Sequence, residues 1–326
     1  MCRWNCPLGA AWSMFEPAGC KRVNLPSQSS PELPLRMGCP VWNCGGWLGR
    51  VYPRGTPKAK WLAWYSRMFN SVEANSTFYG LPSLETAQRW AEETADGFSF
   101  SLKVPRVISH ERALRDCQPE LDAFLQFASV LREAGKLGTS FLQLSPRFAP
   151  DAYGTLEAFL DRLPADFPWA VEVRHHGWFD QAEQEHRLNH ALRKRGIDKV
   201  IFDSRALFQS EPEDAAEQAS QRRKPRTPVR QTVTATAPML RLVGRNRLEL
   251  VERFVQQWVP IATGWVEKGL RPTIFTHTPD DVFAPEMARL FWNRCCESAE
   301  VAGAQNWSPD ALPTLSPPAR QLDLFD

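Results

Sequence analysis

Short runs of β-branched and aromatic residues recur along the chain, starting near Arg36, Asn70, Phe98, Thr139, Trp169, Val200, Met239 and Arg271. Neighbouring starts lie about 34 residues apart, room for one strand, one helix and two loops, which is a repeating βα unit. Between the runs the apolar spacing becomes helical. From Pro119 to Gly135, for example, Leu121, Phe124, Leu125, Ala128 and Leu131 fall on one face, with Gly135 and Gly138 as the stop. Ser83 is placed to cap the preceding helix and Pro285 to open the last one. Eight such units predict an α/β protein: a single-domain (β/α)8 TIM barrel over residues 35–299, since doubly wound sheets more often use about five to seven strands.

One interval breaks the pattern. Residues 205–238 have no apolar periodicity; acidic Glu211, Glu213, Asp214 and Glu217 are followed by Arg222, Arg223, Lys224, Arg226 and Arg230, predicting a mobile charged loop inserted into the barrel. Residues 1–34, which end in a Pro/Ser-rich stretch, and the proline-rich residues 300–326 fall outside the repeat and predict flexible extensions.

Composition narrows the function classes. Across 326 residues, 39 Lys+Arg against 37 Asp+Glu leave a formal charge of +2, so a polyanion-coating body is excluded and any nucleic-acid contact has to be local. No apolar run is long enough for a membrane-spanning helix. Arg3 is the only early basic residue and Pro7 and Gly9 interrupt a short apolar run, so no export signal is read. The 8 cysteines follow no repeating frame, which predicts reduced thiols and a cytoplasmic protein.

In a barrel the chemistry sits at the carboxyl ends of the strands. Those ends carry Glu73, Asn75, Lys103, Arg106, His110, Gln143, Glu172, Arg174, His175, Asp203, Arg241, Arg245 and His277. Buried charges of both signs need a reason, either an active-site mouth or a compensated lattice. The active-site reading assigns catalysis to Glu73, Lys103, Glu172, Arg174, Asp203 and His277. Substrate binding falls to Asn75, Arg106, His110, Gln143, His175, Arg241 and Arg245, with Trp42 of the Gly-rich loop stacking on a ring. Glu73, Glu172, Asp203 and His277 are also the candidate ligands of a divalent metal ion.

Four blocks carry a family resemblance: M-G-C-P-V-W-N-C-G-G-W-L-G-R-V-Y-P (37–53), F-N-S-V-E-A-N-S-T-F-Y-G-L-P-S (69–83), F-S-F-S-L-K-V-P-R-V-I-S-H (98–110) and A-V-E-V-R-H-H-G-W-F (170–179). Over residues 35–297 the chain resembles the YecE-like family, domain of unknown function 72. The resemblance implies a TIM barrel and assigns no activity. The chain departs from the family's first block, where a T-S-G-W-like segment is common, by carrying Cys39-Pro40-Val41-Trp42.

The end of the chain resembles a bacterial sliding-clamp-binding peptide. In Gln321-Leu322-Asp323-Leu324-Phe325 the apolar side chains would fill a pocket while Gln321 bonds at its rim. Arg222, Arg223, Lys224, Arg226 and Arg230 would then engage DNA phosphates, the tether raising their effective concentration. Together these features predict a clamp-tethered protein of DNA repair or replication-linked processing, acting as a metal-dependent phosphodiester or nucleotide hydrolase. The alternatives are a non-catalytic clamp-bound adaptor for DNA or protein and a barrel enzyme of phosphorylated or sugar-like metabolites.

Overall fold

The computed structural model describes residues 33–180, 182–301 and 312. The clamp-binding motif and most of both predicted extensions therefore lie outside the described residues. Eight strands form close to the predicted starts: β1 (Arg36–Gly38), β2 (Ser71–Ala74), β3 (Ser99–Leu102), β4 (Ser140–Gln143), β5 (Trp169–Glu172), β6 (Asp198–Asp203), β7 (Met239–Val243) and β8 (Thr273–His277). Between them run α1 (Trp61–Tyr65), α2 (Ser76–Tyr79), α3 (Leu84–Glu93), α4 (Gln118–Glu133), α5 (Tyr153–Leu160), α6 (Gly177–Asp180), α7 (Ala182–Lys194), α8 (Ala215–Arg223) and α9 (Glu252–Glu267), with α10 (Ala284–Val301) last. Ser83 caps α3 by accepting from the Thr86 amide, and the apolar face of α4 buries Leu121, Phe124, Ala128 and Leu131.

The closed eight-stranded barrel is not formed. The strands pair in parallel as a six-stranded half-barrel sheet, in the order β1-β8-β7-β6-β5-β4, and a separate two-stranded sheet of β2 and β3. Side chains explain one seam. The Asn70 amide accepts from the Met37 N–H (2.7 Å) and donates to the Leu35 carbonyl (2.9 Å). The Tyr65 hydroxyl accepts from the Cys39 N–H (2.7 Å) and donates to the Ser71 carbonyl (3.0 Å). Backbone groups that would build a β1–β2 ladder are thus satisfied by Asn70 and Tyr65. The strands still approach closely, because Gly38 has no Cβ to collide with the Ser71 carbonyl. At the other seam β3 and the β4 segment share a few bonds, Phe100 N–H to Lys136, Gly138 N–H to Phe100 and Val104 N–H to Phe141, without becoming a regular ladder.

Strand alternation divides the residues into two sets. Leu142, Val171, Ile201, Leu240, Leu242 and Ile274 join the large core beneath the helices, whereas Phe141, Ala170, Val200, Met239 and Phe275 form a second apolar cluster on the concave face. Above that apolar floor, toward the carboxyl ends, the concave face turns polar.

The 205–238 insertion folds rather than remaining a loop. Asp214 caps α8 by accepting from the Glu217 amide (2.7 Å), and Glu217 and Ser220 are buried. The helix was not legible as an apolar stripe because its inward anchor is a carboxylate. No described helix is long and apolar enough to cross a membrane.

Candidate active site

Register determines which strand ends meet. Gln143 pairs with Glu172, and Phe202, Arg241 and Phe275 lie abreast across β6, β7 and β8. Residues abreast share a face, so Gln143, Glu172 and Arg241 point into the concavity. Arg241 is its hub. Its guanidinium donates twice to Glu73 (2.7 Å each) and once to Glu172 (2.5 Å), spanning β2 to β5, with the arginine 2% and Glu73 0% exposed. Glu172 also accepts from Arg174 Nε (2.6 Å) and Gln143 Nε2 (2.9 Å), and Glu73 from Asn75 Nδ2 (2.8 Å). The His277 ring nitrogen Nε2 lies 3.1 Å from Glu73 Oε2.

Electrostatics fix the protonation states. Burial alone would favour neutral carboxyls, but Arg241 and His277 hold Glu73 well below the usual range. Against the same burial, Arg241, Arg174 and Lys103 hold Glu172 at about 2. Burial pulls His277 down to about 4 despite Glu73, so the ring is neutral at pH 7, donates from Nε2 to the ionised Glu73, and leaves Nδ1 as an acceptor.

The lysine of this set is different. Lys103 is buried, with its ammonium 3.8 Å from the centroid of the Phe78 ring. Among the described residues no carboxylate lies within 4 Å of it. Burial first, and then Arg241 and Arg174, bring it down to about 7, against the opposing pull of Glu73 and Glu172. His110, half-buried beside Phe78 and bonded to Ser109 Oγ (2.9 Å), is driven to about 4 by burial and by Lys103 and Arg174. Phe78 also lines a cavity of about 310 Å³, with Tyr79, Leu81, Val107 and exposed Arg106.

Several sequence candidates lie elsewhere. Asp203 faces the helices, because Phe202 takes the inward position; it accepts from Trp258 Nε1 (2.7 Å) and from Arg205. Arg245, beyond the end of β7, turns to Glu217 and Ser210 of the insertion. Trp42, half-buried, packs edge-on against Trp90 and Phe100 at the margin of the core. His175 accepts from the Gly177 amide (3.0 Å) and lines a separate cavity of about 590 Å³ with Tyr153, Gln184 and Arg187. Arg106 pairs with Glu111 at the surface.

The metal set does not assemble. Among the described residues no three His, Cys, Asp or Glu side chains are placed to hold a metal ion. Arg241 fills the space between Glu73 and Glu172, and Asp203 is on the other face of β6, so the four expected donors of Glu73, Glu172, Asp203 and His277 do not converge. The basic DNA patch also separates. Arg222, Arg223 and Arg226 are exposed, Arg230 bonds Glu185 (3.0 Å), and Lys224 is half-buried over the network. Lys224 and Phe78 are the two neighbours that strand-end reasoning missed as parts of this site. No periodicity or spacing places either one there.

A family model described as "Protein of unknown function DUF72" matches residues 36–312. The UPF0759 protein YecE of Escherichia coli strain K12 is 39% identical over 270 residues, 83% of this chain and 96% of that protein. The UPF0759 protein YunF of Bacillus subtilis strain 168 is 29% identical over 146 residues, 43% of this chain and 51% of that protein. Two solved DUF72 family structures resemble it in fold. That of Enterococcus faecalis V583 has a TM-score of 0.57 at 20% identity, covering 75% of this chain and 94% of the other. That of Thermotoga maritima MSB8 has a TM-score of 0.56 at 21% identity, covering 81% and 99%.

Proposed function

The chain belongs to the DUF72 family, and on that premise we propose that its charged network is an acid–base active site for a small phosphorylated substrate. The observation that carries this is Lys103: a buried amine facing two arginines and an aromatic ring, with no carboxylate of the described residues in ion-pair contact. A purely structural lattice would compensate it. Glu73 and Glu172 are already taken up by Arg241, so among the described residues the terminal nitrogens of Arg174 remain for an anion and the Lys103 amine for a proton. With its ammonium at about 7, Lys103 is a base near neutral pH, the condition general-base catalysis favours. The burial of Glu73, Lys103, Glu172 and Arg241 fits contact with a small molecule better than with a duplex, which favours the metabolite alternative over the DNA hydrolase.

The test is a panel of phosphate mono- and diesters, sugar phosphates and nucleotides, assayed by substrate loss and product formation. For a substrate that turns over, kcat/KM rises with pH through about 7 as Lys103 sheds its proton. Lys103→Gln lowers it on the order of 10²–10⁴-fold, and Lys103→Arg, permanently charged, does not restore it. An unchanged Lys103→Gln enzyme, or a wild type that turns over none of the panel, contradicts the proposal.

A second reading attaches to the tail. Gln321 to Phe325 supports binding to a sliding clamp by its resemblance to the clamp-binding peptide. The intact chain is then expected to recover purified clamp and a chain lacking 321–325 to lose it; equal recovery overturns that reading.

A further inference from the structure

The insertion is held on the carboxyl end of the sheet at two places. At one, buried Glu217 of α8 receives Arg245 Nε (3.0 Å). At the other, Ser204 Oγ, just beyond β6, donates to the Pro225 carbonyl (2.8 Å). Gln221 adds bonds to the Leu207 and Ser210 carbonyls (2.8 and 3.1 Å). Between these anchors the chain leaves α8 at Lys224, whose backbone N–H still donates to Ser220. A segment pinned on both sides of one residue fixes where that residue points.

Lys224 is turned inward while Arg222, Arg223 and Arg226 remain exposed. The charged and titratable groups that face it are Arg241 of β7, Arg174 after β5, Glu73 of β2, His277 of β8 and Asp281 beyond β8. Asp281 holds a left-handed backbone (φ 62°), which Asp tolerates better than most residues, and its carbonyl is bonded by Trp47 Nε1 (2.9 Å). Yet among the described residues no carboxylate lies within 4 Å of the Lys224 ammonium. It is a second amine left without an ion pair beside the same network.

We propose that Lys224, delivered by the 205–238 insertion, binds the phosphoryl group of the substrate together with Arg174, leaving Lys103 to act as the base. The assignment rests on the phosphorylated-substrate reading above and narrows it to a terminal phosphomonoester. Among the described residues the two terminal nitrogens of Arg174 and the Lys224 amine offer three uncommitted donors, matching the three free oxygens of a phosphoryl dianion rather than the two of a carboxylate. Burial, Arg241 and Arg174 bring Lys224 down to about 8, so it still carries its proton at pH 7.

Inorganic phosphate is the probe, titrated calorimetrically into the full chain at pH 7 and low salt. Wild type is expected to bind it, Lys224→Gln about 10-fold or more weakly, and Lys224→Arg within about 3-fold of wild type. The double variant Arg222→Gln/Arg223→Gln is expected to bind like wild type. A labelling experiment needs no variant: phosphate should protect Lys224 from acetic anhydride at least about 5-fold, read by peptide mass spectrometry. If wild type binds phosphate and neither Lys224→Gln nor labelling of Lys224 responds, the Lys224 assignment fails and the anion site stands. If wild type binds no phosphate, both fail.

Discussion

Arg241 and Arg245 sit four residues apart, one within β7 and one just beyond its end, both buried and both bonded to glutamate, yet their surroundings differ. Arg245 ends in a closed account of charge: Glu217 receives it, and Ser210 and the Glu211 carbonyl take its remaining donors. Arg241 joins Glu73 to Glu172 and is surrounded by further cations, Arg174, Lys103 and Lys224, that exceed what those carboxylates satisfy. A buried ion pair is therefore weak evidence for a site by itself, since a lock on an insertion looks the same. Unspent charge of one sign beside it is the distinguishing feature.

Truncating each arginine sharpens that contrast. Arg241→Met leaves buried Glu73 without its guanidinium partner and Glu172 with Arg174 alone, on strands of different sheets, and an expected loss of about 3–5 kcal/mol in urea unfolding follows. Arg245→Met strands one carboxylate, Glu217, which keeps the Glu213 and Asn246 amides as donors, for about 2–3 kcal/mol. Its main consequence is local: α8 loosens, so limited proteolysis is expected to cut within 205–238 before the rest of the chain. Equal global losses with no preferential cleavage would erase the distinction between hub and lock.

The sequence made the strand positions legible because hydrophobic period and βα spacing are local, and the strand starts from Arg36 to Arg271 fall close to the observed strands. Closure was not legible. It turns on Asn70 and Tyr65 occupying backbone groups across a seam, and neither side chain differs in a sequence from an ordinary core residue. Within the site, Glu73, Lys103, Glu172, Arg174, Arg241 and His277 do come together, as strand-end position suggested. Asp203 was readable from parity: the register that sets Phe202 beside Arg241 sends Asp203 to the opposite face, where Trp258 meets it. Trp42 and Arg245 needed tertiary knowledge, since a loop aromatic and a post-strand arginine can each turn either way. Lys224 lay inside a run of basic residues that read as one DNA-contacting loop, and only the anchors at Glu217 and Pro225 single it out.

Lys103, with no carboxylate of the described residues in ion-pair contact, is an amine poised near neutrality. Site-resolved NMR titration of its side chain, assigned by comparison with Lys103→Gln, measures this directly. A midpoint near 7 in the free protein, moving upward when inorganic phosphate is added, is the expected result. A midpoint near the ordinary lysine value of about 10.4, unmoved by phosphate, would contradict it.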